Sequence, residues 1–186
     1  VGRDGDILVN VGTGSQISVF SPHEFCRAGI ECRPYIRKSW LLCGASLCGG
    51  YSYEIYKNFI SGILKKCNAD NEIDLYPVMN QMAEMAYKAK KQESEKLNIE
   101  TTFNGTRIDG GCAGRIENLT EKNFKPEDFS LGILEGVIKE LYGYYLEMPE
   151  EVRNADCVVV SGNGMRRNKV LRKVCSDIFG ANVQMP

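Results

Sequence analysis

This chain has a single histidine among 186 residues, and its eight cysteines never stand in a C-x-x-C pair. Zinc sites draw on closely spaced cysteine and histidine ligands, so that absence argues against a structural metal. There is no charge of one sign to spare: 23 basic and 24 acidic side chains leave a net charge of −1. Without a basic field, nucleic acid and anionic lipid surfaces are not expected partners. No apolar run is long enough for a membrane-spanning helix, and no secretory leader pattern opens the chain. The chain also lacks a leading methionine and starts directly before a strand, which reads as a domain excised from a longer protein.

Hydrophobic residues make up 43% and charged residues 25%, an ordinary balance for one globular domain with a substantial core. The chain is too long and too helical for a disulfide scaffold. Cys157 and Cys175 fall at apolar positions of a strand and a helix, where cysteine acts as a small hydrophobe. All eight are expected to be reduced thiols of a cytoplasmic protein.

Two glycine clusters carry the functional signal. In the first, apolar residues alternate from Asp6 to Phe20 on both sides of Gly12-Thr13-Gly14, the pattern of two strands and a tight hairpin. Glycine turns let backbone N–H groups crowd into a concavity suited to phosphate, here with the Thr13 and Ser15 hydroxyls beside them. In the second, the β-branched run Cys157–Val160 is broken by Ser161-Gly162-Asn163-Gly164. A helix follows from Asn168, with Val170, Leu171, Val174, Cys175 and Ile178 on one face and Gly180 as its stop. Strand, glycine turn and helix admit a nucleotide against bare backbone. The third glycine of a dinucleotide fingerprint is missing, because Arg167 stands there, and no Gly-Lys-Ser/Thr makes a P-loop.

Between the clusters, residues 25–38 read as irregular with a possible strand pair, and a helix is expected from about Ala45 to Lys66. A second helix is expected over 75–97 and a third from Pro126 through Tyr145. The span 97–119 has the glycine-rich composition of a long loop. Asn182–Met185 reads as a final short strand. The order predicts a mixed α/β domain.

Taken together, Asn10-Val11-Gly12-Thr13-Gly14-Ser15, Gly44-Ala45-Ser46, Phe103-Asn104-Gly105-Thr106-Arg107 and Ser161-Gly162-Asn163-Gly164 resemble the C-terminal domain of the FGGY carbohydrate kinases. Within that family, the segments 42–51 and 161–166 are most similar to sedoheptulokinases. The resemblance implies a ribonuclease H-like fold, shared with actin, hexokinase and Hsp70, with a mixed sheet flanked by helices. It implies one domain over 1–186, the nucleotide half of a longer enzyme, without that enzyme's N-terminal domain and last helix. ATP and Mg²⁺ are the implied cofactors, and the sugar is bound mainly by the absent domain.

Residue by residue, Gly12, Thr13 and Gly14 match the family loop that touches the terminal phosphates, with the Ser15 hydroxyl beside it. Gly44 matches a glycine opening a helix that faces those phosphates. Cys48 falls where the family can place a polar ATP contact. Gly162, Asn163 and Gly164 match the adenosine motif. Arg167 falls where some members carry a nucleotide-contacting Asn, and Asn168 beside it is the candidate substitute. No catalytic aspartate is assigned, since Asp4 and Asp6 lack the family's Gly-Asp context and read as hairpin-edge residues. No role is assigned to Arg107. A non-enzymatic ATP-binding relative of actin or Hsp70 is the alternative. A serine hydrolase is disfavoured, because Gly44-Ala45-Ser46-Leu47-Cys48 ends in the wrong residue and His23 precedes the serine.

Overall fold

Alternating apolar residues in the first fifteen described positions build the centre of the sheet. The computed structural model describes residues 7–69, 73–153 and 157–186. Asp4 and Asp6, which the sequence places at the hairpin edge, lie outside them. Strands β1 (Ile7–Val11) and β2 (Ser15–Ser21) pair antiparallel across the Gly12–Gly14 turn, as their alternation predicts. Ile7, Val9, Val11, Ile17 and Val19 are all buried.

The residues 31–46 complete one flank. Strand β3 (Glu31–Pro34) pairs with β4 (Trp40–Ser46), and β4 pairs with β2 along its whole length, from Ser15 opposite Ser46 to Ser21 opposite Trp40. This corrects the expectation of a helix from Ala45. The ladder with β2 satisfies the backbone of Gly44–Ser46, so helix α1 (Gly49–Lys66) starts only after the strand has ended.

Helix α2 (Leu75–Lys88) is capped by the Asp74 carboxylate, which accepts from the Tyr76 N–H at 3.1 Å. It ends nine residues short of the expected Leu97. Lys90 takes a left-handed conformation (φ 47°), a single 3₁₀ turn covers Glu93–Glu95, and the chain then drops to bury Leu97 and Ile99. The expected long loop over 97–119 carries a small ribbon, β5 (Asn98–Glu100) with β6 (Arg115–Glu117).

Helix α3 (Pro126–Leu146) opens on a proline with Glu127 and Asp128 in its first turn, which complement the helix dipole. It is buried on most of its circumference. Gly136 lets it approach β5 directly: an added Cβ would fall 2.1 Å from the Ile99 carbonyl oxygen. Gly143, on the same helix, is open, with nothing within 4 Å of its Cβ position. Gly143→Ala is therefore expected to stabilise the chain by about 0.5–1 kcal/mol, from reduced backbone freedom in the unfolded state. Chemical denaturation checks this as a higher midpoint at unchanged slope.

Strand β7 (Cys157–Ser161) lies parallel to β1, with helix α4 (Asn163–Arg167) and helix α5 (Lys169–Phe179) after it. Gly180 closes α5 at φ 61°, the left-handed stop expected from sequence. Strand β8 (Asn182–Gln184) adds parallel to β7. The six strands run in the order β3-β4-β2-β1-β7-β8, antiparallel on one side of β1 and parallel on the other. No helix among the described residues is long and apolar enough to cross a membrane.

Candidate functional site

The neighbouring parallel strands β1 and β7 end side by side, with Asn10 opposite Ser161. Both glycine bends leave the sheet at these carboxyl ends, where open α/β sheets form their ligand crevices. Gly162 sits at φ 93°, and a Cβ there would lie 2.3 Å from the Val11 carbonyl oxygen. A Cβ on Gly164 would meet Val11 Cγ1 at 2.9 Å. The second cluster is glycine-rich because it must lie flush against the end of β1.

Backbone hydrogen bonds lock the hairpin to α1. Gly50 N–H donates to the Gly12 carbonyl at 2.8 Å and Tyr51 N–H to the Thr13 carbonyl at 3.0 Å. Within the turn, Gly12 N–H donates to the Gly14 carbonyl at 2.9 Å. The N–H groups of Thr13 and Gly14 take no part in this lock. Contact is close enough that a Cβ on Gly49 would fall 2.4 Å from the Gly14 carbonyl carbon.

These approaches shape a cleft of about 410 Å³, within the range of small-molecule sites. Gly12 and Thr13 form one wall and Asn163, Gly164, Arg167 and Asn168 another. Two bends separated by about 150 residues in sequence thus face the same space. Thr13, Asn163 and Arg167 are exposed there. The cleft also takes in residues to which the sequence assigned no site role: Gly49, Gly50 and Tyr51 at the start of α1, Glu54, and Tyr76 and Asn80 of α2. The Gly49-Gly50 pair was the available signal, hidden by the expected earlier helix start. The Tyr76 hydroxyl is held above its ordinary pKa, first by desolvation and then by the Glu54 and Asp74 charges. The Lys57 ammonium lies 5.5 Å from its ring centroid.

Several residues named from sequence sit elsewhere. Gly44 does not open a helix: it lies inside β4, where a Cβ would be 2.3 Å from that of Tyr144, so its glycine serves the packing of α3 on the sheet. Cys48 is the residue before α1 and is buried, lying beside the backbone of Phe103 and Asn104 rather than in the cleft. Desolvation pushes its thiol pKa up, while the neighbouring Asn104 backbone opposes that shift. Ser15 is buried in β2 opposite Ser46 and its hydroxyl does not line the cleft. Gly14 and Gly162 buttress the walls without lining them. Asn168 borders the cleft, but its amide is already committed: Oδ1 accepts from Leu171 N–H at 3.0 Å to cap α5, and Nδ2 donates to Asn80 Oδ1 at 2.8 Å. Arg107 pairs with Glu31 of β3 at 2.5 Å, and its Phe103–Arg107 segment folds on itself, Thr106 N–H donating to the Asp109 carbonyl at 2.8 Å.

A larger cavity of about 710 Å³ lies between α2, α3 and α5. Its buried carboxylates are already paired, Asp128 with Lys91 at 2.6 Å and Glu135 with Lys96 at 3.1 Å. A compensated network of this kind leaves little charge to recruit a ligand.

The fold matches that of gluconate kinase from Lactobacillus acidophilus, with a TM-score of 0.77 at 16% identity, over 98% of this chain and 35% of that one. It matches that of xylulose kinase from Bifidobacterium adolescentis, with a TM-score of 0.76 at 16% identity, over 99% and 34% of the two chains. This is the ribonuclease H-like fold. In sequence, the chain is 26% identical over 190 residues to a gluconokinase of Bacillus subtilis (strain 168), covering 99% of this chain and 36% of that protein. The model of the FGGY family of carbohydrate kinases, C-terminal domain, matches residues 8–186. The chain belongs to that family, and it spans about a third of the length of the relatives it matches.

Proposed function

We propose that this chain is the nucleotide-binding part of an ATP-dependent carbohydrate kinase, which passes the γ-phosphoryl group to a hydroxyl of a sugar or polyol. Sedoheptulose is one candidate, and another ketose or polyol would fit the same reading. One observation carries it: the Gly12–Thr13 bend and the Asn163–Gly164 bend face one cleft of about 410 Å³. A nucleotide has a flat end and a charged end, and the two walls suit them separately. Asn163 and Gly164 offer low backbone to the adenosine, and the Thr13 hydroxyl and N–H offer donors to terminal phosphates. Arg167 supplies positive charge to the same space.

Phosphoryl transfer depends on positioning and charge neutralisation more than on covalent chemistry. In this reading the chain holds and orients the donor. A carboxylate on the remaining part of the longer protein takes the proton from the sugar hydroxyl, and closure of the two parts excludes water. Mg²⁺ would arrive with the phosphates. It keeps few protein ligands in such sites, and no group of three histidine, cysteine or acidic side chains among the described residues offers it a cage. The unbridged cysteines accord with a reducing, cytoplasmic setting, which belongs to the same proposal.

The test is an ADP-release assay with sedoheptulose, xylulose, gluconate and glycerol, beside calorimetric titration with ATP. The chain alone is expected to bind ATP without sugar-dependent turnover, and the longer protein to turn over with one of these acceptors. Sugar-dependent turnover by the chain alone would refute the division of labour. Failure of the longer protein to bind ATP would refute the nucleotide assignment.

A further inference from the structure

Behind the Thr13 wall, the ends of β2 and β4 meet helix α3 at a polar corner that lines no part of the cleft. Ser15 and Ser46 are direct partners in the β2–β4 ladder, and both are buried, at 4% and 6% exposure. Side chains alternate along a strand, so Ser46 points to the same face as Gly44, which packs on Tyr144 of α3. Glu140 stands one helical turn before Tyr144, about 6 Å along α3. Ser46 stands two residues beyond Gly44, about 7 Å along β4. The Glu140 carboxyl thus comes to lie over the serine pair, with the Ser46 hydroxyl close enough to act on its charge. Thr101, which leads into the Phe103–Arg107 motif, donates from Oγ1 to Glu140 Oε2 at 3.2 Å. The other oxygen, Oε1, is buried without a partner, and so is Ser15 Oγ.

The same corner shapes the phosphate wall. The Ser46 carbonyl packs on Gly14, 3.0 Å from where a Cβ would stand. Ser46 Oγ accepts from the Cys48 N–H at 3.2 Å, which turns the chain from β4 toward α1, and α1 then holds the Gly12 and Thr13 carbonyls. Resting on the nucleotide reading above, we propose that Glu140 is a positioning residue for the nucleotide's phosphates, a neutral carboxyl that braces the Ser15–Ser46 corner from behind. A carboxyl with its proton on Oε1 has an O–H to offer, and a serine hydroxyl at the corner can accept it. An ionised carboxylate has no donor, and it sets a negative charge behind the wall, against the polyphosphate. Among the described residues no cation pairs with Glu140, and burial raises its pKa against the smaller opposing pull of the Ser46 and Thr101 hydroxyls. The titratable groups that face it are the Cys48 thiol and the Tyr144 hydroxyl, each pushed up mainly by burial and further by the Glu140 charge. Arg107 and Cys112 act on Tyr144, and Arg107 is already engaged by Glu31.

Protonated Glu140 favours the polyphosphate and ionised Glu140 opposes it, so ATP affinity is highest at low pH and falls as pH rises through the raised pKa. The test is calorimetric titration of the full-length protein with ATP from about pH 5 to about pH 8, beside Glu140→Gln, an uncharged mimic of the neutral acid. ATP's own titration is common to both proteins and cancels in their ratio. At the low end the two are expected to bind alike, and at the high end the wild type is expected to bind about tenfold more weakly. Glu140→Ala, which removes the brace along with the charge, is expected to bind about tenfold more weakly than Glu140→Gln at every pH. Stability gives a second readout without nucleotide. The folded chain keeps this proton at pH values where the unfolded chain has lost it. Wild-type stability therefore declines as pH rises from the ordinary carboxyl range through the raised pKa, and Glu140→Gln removes that part of the decline. An affinity ratio of wild type to Glu140→Gln that does not change with pH would overturn the proposal. So would Glu140→Ala binding ATP as well as Glu140→Gln. Absence of ATP binding by the wild type at every pH, with the stability difference present, would instead overturn the nucleotide reading on which this role rests.

Discussion

Gly162→Ala is expected to lower the melting temperature by about 6–12 °C and to abolish nucleotide binding in the same protein. The position combines two independent obstacles. Its φ of 93° lies where side-chain-bearing residues are strained, and a Cβ would fall 2.3 Å from the Val11 carbonyl oxygen and 2.6 Å from its carbon. Neither atom is the flexible end of a side chain, so relief requires β1 and β7 to part. Strain of this type costs about 1–3 kcal/mol before the clash is added, and each kcal/mol moves the midpoint of a chain this size by about 2–4 °C. Thermal unfolding followed by circular dichroism measures the first effect and calorimetric titration with ATP the second. A variant with a wild-type midpoint would mean that the second bend does not rest on β1.

Gly49→Ala is expected to separate the site from the fold. A Cβ there would fall 2.4 Å from the Gly14 carbonyl carbon and 2.6 Å from the Ser15 nitrogen, which pries α1 from the hairpin. The bonds from Gly50 N–H to Gly12 and from Tyr51 N–H to Thr13 are the contacts that would be lost. The hairpin's own ladder, Val11 with Ser15 and onward, and the sheet beyond it stay intact. The expected stability loss is therefore about 1–3 kcal/mol, the usual range for overpacking. The loss of ATP affinity is expected to reach about a hundredfold, the upper end of that same range, because the Thr13 wall moves as a unit. Titration of Gly49→Ala beside Gly143→Ala, which meets nothing within 4 Å, checks that the effect is local. Equal ATP affinity in the two variants would show that the hairpin wall does not hold the nucleotide.

The two glycine bends were legible in the sequence because each is a local device. Alternation around Gly12–Gly14 dictates a hairpin wherever it lies, and β-branched residues followed by glycines and an amphipathic run dictate strand, turn and helix. The order of the glycine motifs resembled one family, and that family's model matches residues 8–186. Other expectations failed where a local preference met a distant partner. Residues 40–46 have no strong strand signature, and β2 made them a strand by pairing with every one. Gly44 shows the same thing from the other side, since its reason for being glycine is the Tyr144 ring of α3, a hundred residues away. Cys48 and Asn168 looked available to a ligand because sequence does not reveal burial; one lies under the Phe103–Asn104 backbone and the other caps α5.

Which segments turn, alternate or cap was decided by short-range sterics and hydrogen bonding, and the sequence alone determined it. Which of those segments share a wall was decided by the register of β1 with β7 and by backbone contacts that only glycine permits at 49, 162 and 164. Proximity between residues this far apart in the chain is a property of the packed sheet, so the tertiary structure alone could join the two bends into one cleft.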